Sequence, residues 1–439
     1  MGAKFNGLRL VWGFRIMTIE RKLKAGNIDI YCSLNENLHS FCINAYLLAG
    51  SMYETVNENG ITHLYEHVVF RNLKRLYGGE LYRLLAENGL LLDASTYKEF
   101  MLFSIHGLAE GIDFAIDVIS KLFLPLEISA EEYEAEKRRI YAEMNEDAEK
   151  TTLEWLHGRC CWGEAFPAAG IIGRRSNIER STLKRLDAFR ERILSAGSPF
   201  LYVTGNVDIE HLNKLSSAAD GIHIPQGSLK RENTVRVSTG FKFGSPNIKI
   251  MDSDWCRVML SFGFDSKETP MNIREMLYSA LYEFDDCAFY QELTEEDPTA
   301  YSFNGVLEQY NNLGCFTLSY ETLESELVRS LEAVVRALNR IKRGEFDVEL
   351  NRKKLAAKHT LLLDDPTDLN WDMAYYNHIL ESGKVDWSKP ALGRFEELTM
   401  ETLTEAAIRV FTRKNLVLTL RGNRNKIKKN EIESVISKL

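Results

Sequence analysis

Two imidazoles and a carboxylate fall within five residues of the stretch "ITHLYEHVVF" (61–70): His63, Glu66 and His67. On a helix, positions i and i+4 lie on one face, so His63 and His67 would point the same way. Imidazole nitrogen and carboxylate oxygen are zinc donors. Catalytic zinc sites commonly take three protein ligands and leave a fourth position to water. Glu66, next to His67, would sit close enough to that water to take its proton, and the chemistry that results is attack on a carbonyl. The plain alternative is two half-buried histidines on an ordinary amphipathic helix.

A third donor must come from another segment. The acidic helical stretch "SAEEYEAEKRRIYAEMNEDAEK" (129–150) is the best source. Glu136 and Glu143 are seven residues apart, two helical turns, and share a face. Glu132 and Glu146 lie near that face. Spacing alone does not choose among the four, and each also suits a solvated salt bridge.

The elements that must position these residues recur along the chain. "FLYVTGNVDIEHLNKL" (200–215) is an apolar β-rich run, then Gly205-Asn206, then a helical pattern. "NLVLTLRGNRNKIKKNEIESVISKL" (415–439) repeats that order around Gly422-Asn423, half a chain length further on. "MLFSIHGL" before "GIDFAIDVISKLF" is matched by "CFTLSYET" before "SELVRSLEAVVRALNRI", and each pair is followed by a charged helix. The chain therefore reads as two tandem α+β domains, residues 17–218 and 234–439. The Gly/Pro-containing stretch 219–233 is the linker, and residues 1–16 read as a disordered extension ahead of Met17.

Composition narrows the class. With 45% hydrophobic and 27% charged residues the 439-residue chain is globular. A net charge of −9 argues against nucleic-acid binding. No run of 18 or more apolar residues predicts a membrane span. Seven cysteines without a CxxC spacing suit reduced thiols, hence a cytoplasmic setting.

The pattern HxxEH is the inverted zinc motif. Together with "AGSMYETVNENGITHLYEHVVF", "GLLLDASTYKEFMLFSIHG" and "EKRRIYAEMNE", it makes the chain from about residue 20 onward resemble the pitrilysin/insulinase family of zinc metallopeptidases. The resemblance is to its short two-domain members, such as mitochondrial processing peptidase and bacterial peptide-maturing proteases. In that family a glutamate well downstream of the motif completes the site, and Glu143 follows His67 at the matching distance. The resemblance implies that His63, His67 and Glu143 bind Zn2+, that Glu66 is the general base, and that Glu136 orients a ligand. It implies that Ala94, Ser95 and Thr96 lie on a strand that pairs with an extended peptide. It also implies a half-clamshell that closes by dimerisation around a chamber for short or unfolded peptides.

One departure stands out. The family's second half usually carries an Arg and, seven residues on, a Tyr that stabilise the oxyanion. In "FYQELTEEDPTAYSF" Tyr301 holds the tyrosine position, but Thr294 holds that of the arginine, amid Glu295, Glu296 and Asp297. Threonine cannot replace a guanidinium, and the local field is expected to be negative. The expectation is a zinc-bearing subunit of a heterodimer, cytoplasmic and bacterial, whose paralogous partner supplies the Arg/Tyr pair; a homodimer is the alternative. The second half has no zinc motif of its own, with Lys358 near the place of Glu143. The competing reading is a catalytically inactive structural or peptide-binding member of the same fold, like the core subunits of the cytochrome bc1 complex.

Overall fold

A computed structural model of the chain describes residues 19–47, 49–146, 148–162, 170–196, 199–222, 224, 247–253, 255–296, 298–309, 313–364 and 395–439. The expected extension 1–16 and most of the expected linker 219–233 lie outside these residues.

The first half runs β1 (Ile19–Ala25), β2 (Ile28–Leu34), β3 (Ser40–Leu47), α1 (Ile61–Leu76), α2 (Leu81–Glu87), β4 (Leu90–Thr96) and β5 (Met101–Leu108). It continues with α3 (Ile112–Lys121), α4 (Ala130–Glu146), α5 (Ala148–Trp162), α6 (Arg175–Arg180), α7 (Leu183–Ala196), β6 (Phe200–Gly205) and α8 (Ile209–Asp220). The second half runs β7 (Asn247–Met251), β8 (Cys256–Asp265), α9 (Met271–Tyr282), α10 (Ala288–Tyr290), β9 (Phe303–Gln309) and β10 (Leu313–Thr322). It ends with α11 (Leu327–Lys342), α12 (Val348–Asp364), α13 (Met400–Val410), β11 (Leu416–Arg421) and α14 (Lys429–Ile436).

The six-stranded first sheet has the order β1-β2-β6-β3-β5-β4, and the five-stranded second has β7-β11-β8-β10-β9. In each, one strand pair is parallel, β2 with β6 and β7 with β11, and the others are antiparallel. Setting β7 on β2, β11 on β6, β8 on β3, β10 on β5 and β9 on β4 superposes the two orders. The mixed α+β fold is thus laid out twice, with β1 as an extra edge strand on the first sheet.

Burial follows the sequence pattern. Central strand β3, "SFCINAYL", is buried along nearly its whole length and so shows no polar alternation. Edge strand β4 does alternate in part: Leu90 and Thr96 are buried, whereas Leu91 and Asp93 are exposed. In α1, Ile61, Leu64, Tyr65, Val68, Val69 and Leu73 recur at helical spacing and enter the first core. The apolar stripe of α11 enters a separate second core.

The halves meet through α5. Its Cys160, Cys161 and Trp162 pack with Leu313, Cys315 and Val417 of the second sheet. The buried His157 spans two of that sheet's strands, with Nδ1 2.8 Å from Thr419 Oγ1 and Nε2 2.7 Å from Ser261 Oγ. Lys98, just beyond β4, donates to Glu308 of β9 at 2.7 Å. All seven cysteines are buried, and none forms a disulfide. Among the described residues no helix is long and apolar enough to cross a membrane.

Burial pushes His157 down to about 4, so the folded protein keeps it neutral. The unfolded chain, titrating near 6.5, takes up a proton as pH falls. Stability from this residue is therefore complete above pH 6.5 and is lost as pH falls toward 4. About 2 kcal/mol of that loss comes between pH 7 and pH 5. The urea midpoint should drop more over this interval in the wild type than in His157→Gln; equal drops would remove His157 as the responsible group.

Candidate metal centre

Helices α1 and α4 cross beside the end of β4, and each contributes donors. Gly60 precedes α1, and its first turn carries His63. One turn later come Glu66 and His67, and one further turn on comes Arg71. Helix α4 is started by a reciprocal cap: Ser129 N–H donates to Glu132 Oε2 at 2.9 Å, and Glu132 N–H donates to Ser129 Oγ at 3.1 Å. Glu132 is thus a capping residue rather than a donor at the crossing. The side chain of Glu146 lies outside the described residues.

At the crossing, Glu143 Oε2 stands 3.6 Å from His63 Nε2 and 3.6 Å from His67 Nε2. One donor atom from each of the three residues lies within 4.8 Å of the others. These separations are too long for hydrogen bonds. They match an ion between them: two atoms bound tetrahedrally at about 2.1 Å sit about 3.4 Å apart. The imidazoles are nearly perpendicular, at 86°, and Glu143 is open to solvent, which leaves room for water. Buried His63 Nδ1 has no hydrogen-bond partner. The donor set, two nitrogens and one carboxylate oxygen, suits zinc with one position left over.

The supporting groups are equally specific. Glu136 is almost completely buried, at 1% exposure. Its Oε2 faces His67 Nδ1 at 3.6 Å, and its Oε1 accepts from Arg71 Nη2 at 2.5 Å and Nε at 2.7 Å. Thr96 Oγ1 donates to Glu66 Oε2 at 2.5 Å, fixing that carboxylate against the end of β4. Ala94 packs half-buried on the first core, Ser95 is half-buried, and β4 closes the sheet with β5 as its one strand neighbour.

Electrostatics separates the residues. Burial pushes His63 down to about 4 against the pull of Glu143. Burial also disfavours charge on His67, but the carboxylates of Glu136 and Glu143 outweigh it and carry His67 up to about 9. His67 beside it holds Glu143 below the usual carboxylate range. Glu136 is likewise held low, because His67 and Arg71 overcome its burial. Burial raises Glu66, with the Thr96 hydroxyl opposing. A metal ion competes with the His67 proton, since a ligating imidazole must be neutral.

Two residues escaped the sequence reading. Arg71 was visible in principle, four positions after His67 on the same face. Glu54, whose contacts are described below, had no spacing signal.

The structure does not bring Tyr301 to this cluster. It is 97% exposed, between a π-helical turn (Gln291–Glu295) and β9, so it is not a core aromatic. Thr294 Oγ1 is buried without a partner. Part of the acidic charge nearby is met by cations: Arg336 and Arg340 of α11 pair with Glu292, and Arg340 also pairs with Glu296, contacts from a distant helix that local sequence hides. Asp297 lies outside the described residues. In the second half the corresponding helices α9 and α12 are joined by Ser279 Oγ donating to Asn351 Oδ1 at 2.8 Å and by a Lys358–Glu283 ion pair.

The fold is thus two α+β halves, of which the first carries an inverted HxxEH helix and a distal glutamate helix. Residues 35–159, which hold every donor above, match the insulinase family, peptidase family M16. An uncharacterized zinc protease of Mycobacterium tuberculosis is 21% identical over 395 residues, covering 89% of this chain and 90% of that protein. The fold is similar to that of a protease from Helicobacter pylori (TM-score 0.77, 16% identity, 92% of this chain and 99% of that one). It is also similar to a peptidase M16 inactive domain from Pseudomonas fluorescens (TM-score 0.76, 17% identity, 92% and 98%).

Full-length protein loaded with zinc should hold about one ion per chain. His67→Ala should abolish that binding. Glu136→Gln should weaken it about 10- to 100-fold, read by competition with a chromophoric chelator.

Proposed function

We propose that the chain is a zinc-dependent endopeptidase acting on short or unfolded peptides. The observation that carries this reading is the convergence of His63 Nε2, His67 Nε2 and Glu143 Oε2, with the Glu66 carboxylate on the same helix. Bound there, zinc would polarise the scissile carbonyl and make a coordinated water acidic near neutral pH. Glu66 does the proton work. Its Oε2 is engaged by Thr96, so Oε1 takes the proton from the attacking water and later passes it to the departing amine nitrogen. The products are a carboxylic acid and an amine. Burial, by raising Glu66, makes it a stronger base than an exposed carboxylate. Glu136 keeps the His67 ring turned, with Nδ1 toward itself and Nε2 toward the site.

An extended peptide would add to the free edge of β4 along Ala94, Ser95 and Thr96, and so lie beside Glu66. Oxyanion stabilisation is the missing part. With Thr294 in the arginine's place and Tyr301 exposed, this chain's second half has a tyrosine to offer a partner but no matching arginine. A paralogous subunit carrying the Arg/Tyr pair would complete a shared chamber. The buried thiols without disulfides suit a reducing, cytoplasmic setting.

Glu66→Gln should keep its zinc and lose about 10²- to 10⁴-fold in kcat on a fluorogenic peptide. Mixing the wild-type chain with a paralogue that lacks HxxEH and carries Arg/Tyr should raise the rate. Equal rates for the chain alone and the mixture would remove the shared-site reading. Peptide binding without turnover in either case would favour an inactive binding member of the fold.

A further inference from the structure

Helix α1 does not cap itself. Its N-cap is Gly60, held at φ +100°, a left-handed conformation that favours glycine and leaves no side chain to meet the first-turn N–H groups. The buried carboxylate of Glu54 meets them instead. Its Oε2 accepts from Gly60 N–H at 2.9 Å and from Asn59 Nδ2 at 3.0 Å, and its Oε1 accepts from Thr62 N–H at 2.8 Å. A carboxylate there also opposes the positive end of the helix dipole. Thr62 is the residue before His63, so these bonds hold the turn that presents the first imidazole.

The other end of the same segment is tied to the peptide strand. Glu54 directly follows a short 3-10 turn, Ser51–Tyr53. Ser51 N–H donates to Tyr97 O at 3.3 Å, and Met52 N–H donates to Lys98 O at 2.8 Å. Gly50 permits the approach, since a Cβ there would fall 2.0 Å from Lys98 O. Tyr97 and Lys98 come straight after Thr96, whose hydroxyl holds Glu66. The connections close a ring: from Thr96 to Lys98, across to Met52, on to Glu54, into Thr62 and His63, along α1 to Glu66, and back to Thr96.

We infer that Glu54 is a positioning residue that sets where the metal-binding turn of α1 stands relative to the edge of β4. This rests on the zinc site proposed above. In Glu54→Gln one acceptor oxygen becomes an NH2 group facing N–H donors, and the ring opens while the residue's size is kept. The closing experiment uses the full chain. The zinc Kd of Glu54→Gln is measured by chelator competition, and kcat and KM on a fluorogenic peptide are measured well below the melting temperature. Zinc Kd should rise about tenfold or more. Where the wild type turns over, kcat should fall at least as far, with KM nearly unchanged because β4 itself is intact. Asp keeps the charge on a shorter arm, so Glu54→Asp should recover part of the zinc affinity, and it serves as the test if the glutamine variant does not fold. A lowered melting temperature with wild-type zinc Kd would make Glu54 a mere helix cap and overturn the inference. A wild type that binds zinc without turnover ends the peptidase reading alone, because the zinc arm still tests Glu54.

Discussion

The crossing of α1 and α4 turns on one buried carboxylate. Glu136 stands between two groups of one helix: its Oε1 accepts from Arg71, and its Oε2 faces His67 Nδ1 at 3.6 Å. Removing one partner of such a buried pair commonly costs about 3–5 kcal/mol, because the remaining charge is stranded. With Glu136 in place, Glu143 two turns further along α4 has little choice but to face His63 and His67. The three side chains of the cluster are therefore arranged by an ion pair outside it, and the β-sheet beneath supplies the floor on which the two helices rest.

The same helix pair occurs in the second half without that arrangement. Ser279 with Asn351 and Lys358 with Glu283 join α9 to α12. A duplicated scaffold thus packs alike in both halves, and among the described residues the cluster of two histidines and a glutamate stands in the first. The division matches the burial pattern. Each half has its own apolar core, and the polar contacts between the halves among the described residues include His157 against the second sheet, Lys98 with Glu308 and Glu154 with Arg257.

Much of this could be read from the chain itself. The inverted motif, the distant glutamate on a second acidic helix and the repeated strand–helix order led to the α+β fold, to its doubling and to the residues the structure brings together at one crossing. What could not be read was contact between segments far apart in sequence. Arg336 and Arg340 reach Glu292 from a helix much later in the chain, so local sequence hides that part of the acidic charge near Thr294 is met by cations. Glu132 looked like a candidate donor because helical periodicity places it near the right face; only the reciprocal bonds to Ser129 reveal it as a cap. Glu54 is silent in sequence because its role depends on a turn and a neighbouring strand, not on any repeat.

The central claim is that two imidazoles and one carboxylate hold a metal and leave a position for water. Zinc K-edge X-ray absorption on the zinc-loaded full chain tests it most directly. The account predicts about four light-atom neighbours near 2.0–2.1 Å with an imidazole contribution from two rings and no sulfur. Sulfur at about 2.3 Å would place the metal on cysteines. Such a result, or a shell without the two-ring imidazole signal, would contradict the account.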